Sequence, residues 1–283
     1  MPQHYTIAEV SDNLDARQFD LVVKRLADNL SYGTDPSRFL GSGFEYVQSR
    51  HYVPGDSIKS IDWKVTARTG RFHIKEYEAT KRIDIHLVLD TSASMCVGSG
   101  HLTKYAWAVQ LATGLALAAQ KRLSPAGLHG AGTRDLRITP TLAHGTILQA
   151  AHRLRRYRPD EATKLGATLR KLIPSLGNRC LVIVISDFHD PDAVAALKLL
   201  AQRHDAVALH LQDPAERGAI GGGIFRAEEA ETGTAFVTHG NRRWTDPASL
   251  RRELLLAGID HLLLPLDQPI VPRLRHFLKY RSF

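Results

Sequence analysis

Four oxygen-bearing side chains carry the chemistry this sequence is best equipped to do. In LVLDTSASM (87–95) an apolar run stops at Asp90, and hydroxyls follow at Ser92 and Ser94. In CLVIVISD (180–187) a second apolar run ends in Ser186 and Asp187. Open α/β sheets bind ligands outside the carboxyl ends of their strands, so two strand-ending aspartates are expected to converge at one edge. Residues two apart in extended chain point the same way, so Asp90, Ser92 and Ser94 would present three oxygens together if their loop stays extended. Two carboxylates with hydroxyls call for a cation, and an oxygen-only donor set favours magnesium, manganese or calcium over zinc. The hydroxyls are neutral, so two aspartates balance a divalent ion and leave it able to draw one more carboxylate, for instance from another protein. Magnesium keeps several waters, so an open coordination position is expected. The competing use of these serines is to cap the following helix. His189 and Asp190, beside Asp187, read as the start of the next helix, because one histidine is a thin basis for a transition-metal site.

The elements that must position these residues follow from hydrophobic patterning. From Ile83 onward, apolar runs alternate with helical periodicity, the rhythm of a parallel sheet covered on both faces. Strands are predicted over IDIHLVLD (83–90), AGLHGAG (126–132), DLRITPT (135–141), CLVIVISD (180–187), AVALHLQD (206–213) and HLLLPL (261–266). Helices are predicted from about Leu102, over TILQAAHRLRRY (146–157) and KLGATLRKLIPSL (164–176), over PDAVAALKLLAQRH (191–204) with proline in its first turn, and over DPASLRRELLLAGID (246–260). The fold class is therefore α/β, a doubly wound, mostly parallel sheet of Rossmann type. Residues 1–82 differ. ARQFDLVVKRLADNL has helical spacing, and Pro54-Gly55-Asp56 marks a turn. This part reads as an appended N-terminal subdomain, and 83–283 as the main domain with a basic C-terminal tail. Arg50, Asp56, Asp62, Lys64 and Arg68 are expected to form an internal ion-pair network around Trp63, ahead of a partner-facing role.

Composition narrows the function classes. The chain has 283 residues, of which 43% are hydrophobic and 23% charged, ordinary usage for a globular protein. The N-terminal stretch lacks the basic start and apolar middle of a secretory signal. AWAVQLATGLALAAQKRL is broken by Gln110 and Gln120 and falls short of the ~20 apolar residues of a membrane span. Cys96 and Cys180 form neither a disulfide framework nor a metal-binding spacing. A cytoplasmic location without a membrane span is expected. Formal charge is +8, concentrated in RLRRYR (153–158) and the tail RLRHFLKYRSF. A solvated helix face and a basic tail account for it, because no nucleic-acid motif accompanies the charge.

Asp-x-Ser-x-Ser after an apolar strand, with a later threonine and a strand-end aspartate, resembles the metal-ion-dependent adhesion site of von Willebrand factor A domains. Asp90, Ser92 and Ser94 match the first motif and Asp187 the last aspartate. Thr163 in EATKLGATL matches the threonine, with Thr168 as the alternative, since Ala162 stands where the family often has glycine. The stretch GFEYVQSRHYVPGDSIKSIDWKVTARTGRFHIKEYE, with LHLQDPAERG and EAETG further on, resembles domain of unknown function fifty-eight, whose A-like domain follows such a signature. The resemblance implies a von Willebrand factor A-like fold, a metal set of Asp90, Ser92, Ser94, Thr163 and Asp187, and Mg2+, with Mn2+ and Ca2+ as alternatives. It also implies association with MoxR-type AAA+ ATPases, in chaperone-like maturation of client proteins recognised through an acidic residue.

A non-enzymatic interaction module is thus the leading expectation. A magnesium-dependent phosphatase using Asp90 as nucleophile would want an aspartate two residues later as general acid, and Ser92 stands there. Nonspecific nucleic-acid binding rests on charge alone. GAIGGG (218–223) lacks a dinucleotide-binding spacing, and no Gly-Lys-Ser/Thr phosphate loop occurs.

Overall fold

The computed structural model describes residues 16–31, 44–79, 83–96, 98, 102–133, 136–156, 164–217, 224–228, 235–239 and 246–281. Six strands form the central sheet: β3 (Ile85–Asp90), β4 (Ala126–Ala131), β5 (Arg137–Thr141), β6 (Leu181–Ser186), β7 (Asp205–Gln212) and β10 (Asp260–Pro265). Their spatial order is β10-β7-β6-β3-β4-β5. All neighbours pair in parallel except β5, which closes one edge antiparallel to β4. The mostly parallel sheet expected from the sequence is therefore present. A two-stranded antiparallel pair, β8 (Ile224–Glu228) with β9 (Ala235–His239), was not expected. GAIGGG and the EAETG stretch lie outside the described residues.

Alternation along the strands divides the core in two. Ile85, Leu87 and Leu89 of β3 join Leu181, Ile183 and Ile185 of β6 in one hydrophobic cluster, while Val88, Val182 and Val184 join another on the opposite face. Strands buried on both faces read as continuous apolar runs, which is why β3 and β6 were legible. On the first face lies α3 (Lys104–Lys121), started by Thr103, whose hydroxyl accepts the Ala106 N–H at 3.2 Å. This helix is apolar nearly all round, because α1 (Ala16–Ser31) covers its outer side. Phe19, Val23, Leu26, Ala27 and Leu30 form a helical stripe in the same cluster as α3. The approach is close at Gly114, where a Cβ would lie 2.6 Å from Leu26 Cδ2. Thus α1, drawn from the segment expected to be appended, shares the main core. The same face carries α4 (His144–Leu154) and α8 (Ile270–Tyr280).

The C-terminal segment departs from expectation. Instead of a solvated basic tail, α8 buries Ile270, Leu274 and Leu278, a stripe of four-residue period that the intervening cations hide in the sequence. Arg281 beyond it is buried and ion-paired with Asp205 and Asp260. On the opposite face lie α5 (Leu165–Leu172), α6 (Pro191–Ala201) and α7 (Pro247–Leu256).

The signature region folds as the antiparallel pair β1 (Phe44–His51) and β2 (His73–Ala79), joined through a short 3-10 turn (Ile58–Ser60) and α2 (Trp63–Thr69). Arg50 grips Asp56 with two hydrogen bonds of 2.7 Å. Asp62 caps α2 by accepting the Val65 N–H, and it also accepts the Ser49 hydroxyl at 2.7 Å. Trp63, expected at the centre of an ion-pair network, is instead 64% exposed. The turn and the cap already satisfy the acidic groups, so nothing draws the indole inward.

Four histidines line the α5–α6 side of the sheet in two pairs. His86 Nδ1 lies 3.0 Å from His129 Nε2, and His261 Nε2 lies 3.3 Å from His210 Nδ1. Burial holds their pKa values down, to about 4 for His86 and His261 and about 3 for His129 and His210. The unfolded chain therefore binds more protons below the ordinary imidazole value of 6.5. Their contribution to stability is complete above that value and is lost as pH falls toward 4. The urea midpoint should drop between about pH 7 and about pH 5, and drop less in His86→Gln/His129→Gln. A parallel fall in both proteins would contradict this assignment.

The α5–α6 approach yields a second prediction. A Cβ on Gly166 would lie 2.7 Å from Asp192 Cβ and 2.8 Å from its carbonyl carbon. Gly166→Ala should therefore cost about 1–3 kcal/mol as the helices are pushed apart, measured by urea denaturation. An unchanged midpoint would show that the helices have room to give.

Candidate metal centre

β3 and β6 pair in parallel with Leu89 beside Ile185, so Asp90 stands level with Ser186 and Asp187 follows one residue later. β3 leads across the sheet to β4, whereas β6 leads the other way to β7. The two aspartates therefore flank the point where the strand order reverses, the position where such sheets bind ligands.

Asp90 is fully buried. Its Oδ1 accepts the Ser92 N–H at 3.0 Å and its Oδ2 accepts the Ser186 hydroxyl at 2.6 Å. Ser186 Oγ in turn accepts the Phe188 N–H at 2.8 Å. Phe188 has φ of 56°, a left-handed conformation that non-glycine residues rarely adopt outside constrained sites. Ser92 and Ser94 bring their hydroxyl oxygens within 3.0 Å of each other. The Ser92 hydroxyl acts to lower the pKa of the Asp90 carboxyl, and the Ser94 hydroxyl acts to lower that of Asp187. Asp90, Ser92 and Ser94 are thus linked by hydrogen bonds, with Asp187 beside them at the end of the neighbouring strand. The loop does not stay extended as expected. It curls into a 3-10 turn at Ala93–Cys96, and the curl itself brings the hydroxyls together. Thr163 lies outside the described residues, and Thr168 sits in the first turn of α5 with its N–H bonded to the Lys164 carbonyl.

Three further residues complete the surroundings. Lys104, the first residue of α3, is buried at 1%, and its Nζ lies 2.7 Å from Asp187 Oδ2. The same ammonium is ion-paired with Glu216. His189 Nδ1 lies 3.3 Å from Asp187 Oδ2, and the His189 N–H donates to Asp187 Oδ1 at 3.3 Å. The donor atoms of Asp187, His189 and Glu216 all lie within 4.8 Å of one another. Asp190, as expected, starts α6: its Oδ1 accepts the Asp192 N–H at 2.9 Å, and its Oδ2 accepts the Gly166 N–H at 2.8 Å.

The two aspartates titrate in opposite directions. Burial, and then the nearby Asp187 charge, push Asp90 up to about 7. Burial acts the same way on Asp187, but the Lys104 ammonium, with His189, overrides it and holds that carboxyl down at about 2. Burial likewise opposes the charge on Lys104. The Asp187 and Glu216 carboxylates outweigh it, leaving the ammonium above its ordinary value. Asp187 is therefore the carboxyl held ionised, and Asp90 is the one whose charge its surroundings disfavour.

Sequence reasoning missed Lys104 and Glu216. A lysine in the first turn of a helix, where the macrodipole disfavours a cation, opening an otherwise apolar stretch, was the available signal for the first. Glu216 stood unassigned within LHLQDPAERG.

Residues 48–248 match the family model described as protein of unknown function DUF58. Uncharacterized protein Rv1480 of Mycobacterium tuberculosis (strain ATCC 25618 / H37Rv) is 27% identical over 250 residues, spanning 87% of this chain and 77% of its own. Uncharacterized protein Mb1516 of Mycobacterium bovis shows the same identity and coverage. Among solved structures, the SpRpn10 VWA domain superposes with a TM-score of 0.41 at 14% identity, covering 67% of this chain and 92% of that one. An uncharacterized membrane spanning protein from Vibrio fischeri gives 0.24 at 16% identity, covering 64% and 90%.

The two aspartates should respond differently to neutralisation when divalent ions are chelated. Asp187→Asn leaves the buried Lys104 ammonium with Glu216 as its remaining carboxylate and should lower the melting temperature, whereas Asp90→Asn relieves like-charge repulsion and should leave the melting temperature unchanged or raised. Equal destabilisation by both would contradict the division of roles.

Proposed function

The chain belongs to the family described as protein of unknown function DUF58, and on that footing we propose that it is a non-enzymatic protein-interaction module switched by a divalent cation. The observation that carries this reading is the gathering of Asp90, Ser92, Ser94 and Asp187, two buried carboxylates on neighbouring strand ends with two hydroxyls 3.0 Å apart beside them at a sheet rim. These are hard oxygen donors of the kind that magnesium, manganese and calcium take. Among the described residues Asp90, unlike Asp187, is paired with no ammonium that would hold its charge, so a cation there would do so. Mg2+ is the ion proposed, with Mn2+ and Ca2+ as alternatives. Asp90, Ser92, Ser94 and Asp187 would hold it, with Thr163 as fifth ligand. The bound ion supplies a Lewis-acidic position for a carboxylate of a partner protein.

The proposed partner is a MoxR-type AAA+ ATPase in the cytoplasm, with this chain as adaptor for client proteins. That part rests on the family resemblance of the signature stretch. No helix among the described residues is long and apolar enough to cross a membrane.

Two features weigh against the alternatives. For a phosphatase, Ser92 stands where the general acid would be needed. For nucleic-acid binding, the C-terminal basic segment is partly committed to the fold, with Arg281 buried in ion pairs.

A ligand that binds only the folded state must stabilise it. Mg2+ or Mn2+ should raise the melting temperature of the parent and leave Asp90→Ala unmoved, and equal responses would contradict the site. In pull-downs from the native host, an AAA+ ATPase should be enriched only with metal present and Asp90 intact. Equal recovery with chelator would remove the switch.

A further inference from the structure

The Lys104 ion pairs are more than the cation reading requires. Nζ is nine-tenths or more buried, 2.7 Å from Asp187 Oδ2 and paired on its other side with Glu216. It stands directly after the Thr103 cap of α3, at the helix end where a positive charge is disfavoured, so the carboxylates hold it there. Glu216 is fixed in turn: its Oε2 accepts the Asp213 N–H at 3.1 Å, within the turn Pro214–Arg217 that follows β7. Asp187 therefore faces two ways, toward the Ser94 hydroxyl and toward the Lys104 ammonium.

We infer that Lys104 and Glu216 set the affinity of the cation site, Lys104 as a resident counter-charge competing with the divalent ion for Asp187, and Glu216 as the third carboxylate that offsets it. This rests on the cation reading above. When ionised, Asp90, Asp187 and Glu216 face the single ammonium of Lys104 and leave two negative charges, the charge one divalent ion neutralises. Removing the ammonium leaves three negative charges for the ion, and removing the Glu216 charge leaves one. Such charges are buried and poorly screened, so changes of this size act strongly on a divalent ion. The lysine also gives the metal-free state a cation of its own, so the strand ends stay assembled while the site waits.

The test is Mn2+ binding, followed by calorimetry and by the spin resonance of the free ion, in the parent, Lys104→Met, Glu216→Gln and the double variant. Lys104→Met should bind roughly tenfold or more tightly, and Glu216→Gln roughly tenfold more weakly. The double variant, with the parent's net charge, should return toward parental affinity. Should Lys104→Met fail to fold, Glu216→Gln carries the test, because it keeps the Lys104–Asp187 pair, and unchanged affinity there overturns the inference. Parental binding with a folded Lys104→Met no tighter overturns the inference and leaves the cation reading standing. Binding by Lys104→Met with none by the parent supports the inference and overturns the reading, and no binding by either overturns both.

Discussion

Two carboxylates buried at the ends of neighbouring parallel strands repel each other, and the fold around Asp90 and Asp187 is organised by that repulsion. In a weakly polarisable interior, one must give up its proton less readily, or a cation must stand near. The chain does both. Lys104 keeps Asp187 ionised, and Asp90, with hydroxyls and an amide for company, is pushed up to about 7. The details of the rim follow from this. Ser186 donates a hydrogen bond to Asp90 and accepts one from the Phe188 amide, turning the chain through a left-handed residue. The 3-10 turn after Ser92 brings the two serine hydroxyls within 3.0 Å of each other.

Such a rim needs a rigid base, and the sheet supplies it. β3 and β6 are covered on both faces, with α3 in the middle of one covering layer and α5 and α6 on the other. Lys104 reaches the rim because α3 starts there, and α3 is held at that place by α1 outside it and β3 beneath. The helix that gives the core much of its apolar surface thus also delivers the charge that steadies Asp187. Glu216 arrives from a turn after β7, so elements far apart in sequence depend on one ammonium.

The parts of this arrangement differ in how far they were legible. β3 and β6 announced themselves as unbroken apolar runs, and an aspartate closing each run points to the same sheet edge by topology alone. Ser92 and Ser94 followed from spacing, though the reason given, an extended loop, was replaced by a tight turn with the same outcome. Glu216 was not legible and Lys104 only as a charge opening an apolar helix, because they meet Asp187 across separations of more than eighty residues or through a third group, and a lysine in sequence reads as a surface residue. The docking of α1 and α8 was hidden for another reason. Helical periodicity marks an apolar stripe without saying what covers it, and in α8 the arginines and histidine between Ile270, Leu274 and Leu278 gave the impression of a tail. Trp63 erred the other way, an aromatic assigned to an interior that the cap and turn around it did not require.

The central claim is that one divalent cation occupies the cluster at the ends of β3 and β6. Anomalous diffraction from crystals grown with Mn2+ tests it most directly. A single strong peak in contact with Asp90, Ser92 and Ser94, and absent from Asp90→Ala, is the predicted result. Saturating Mn2+ with no peak there, or with the peak lying away from these residues, would contradict it.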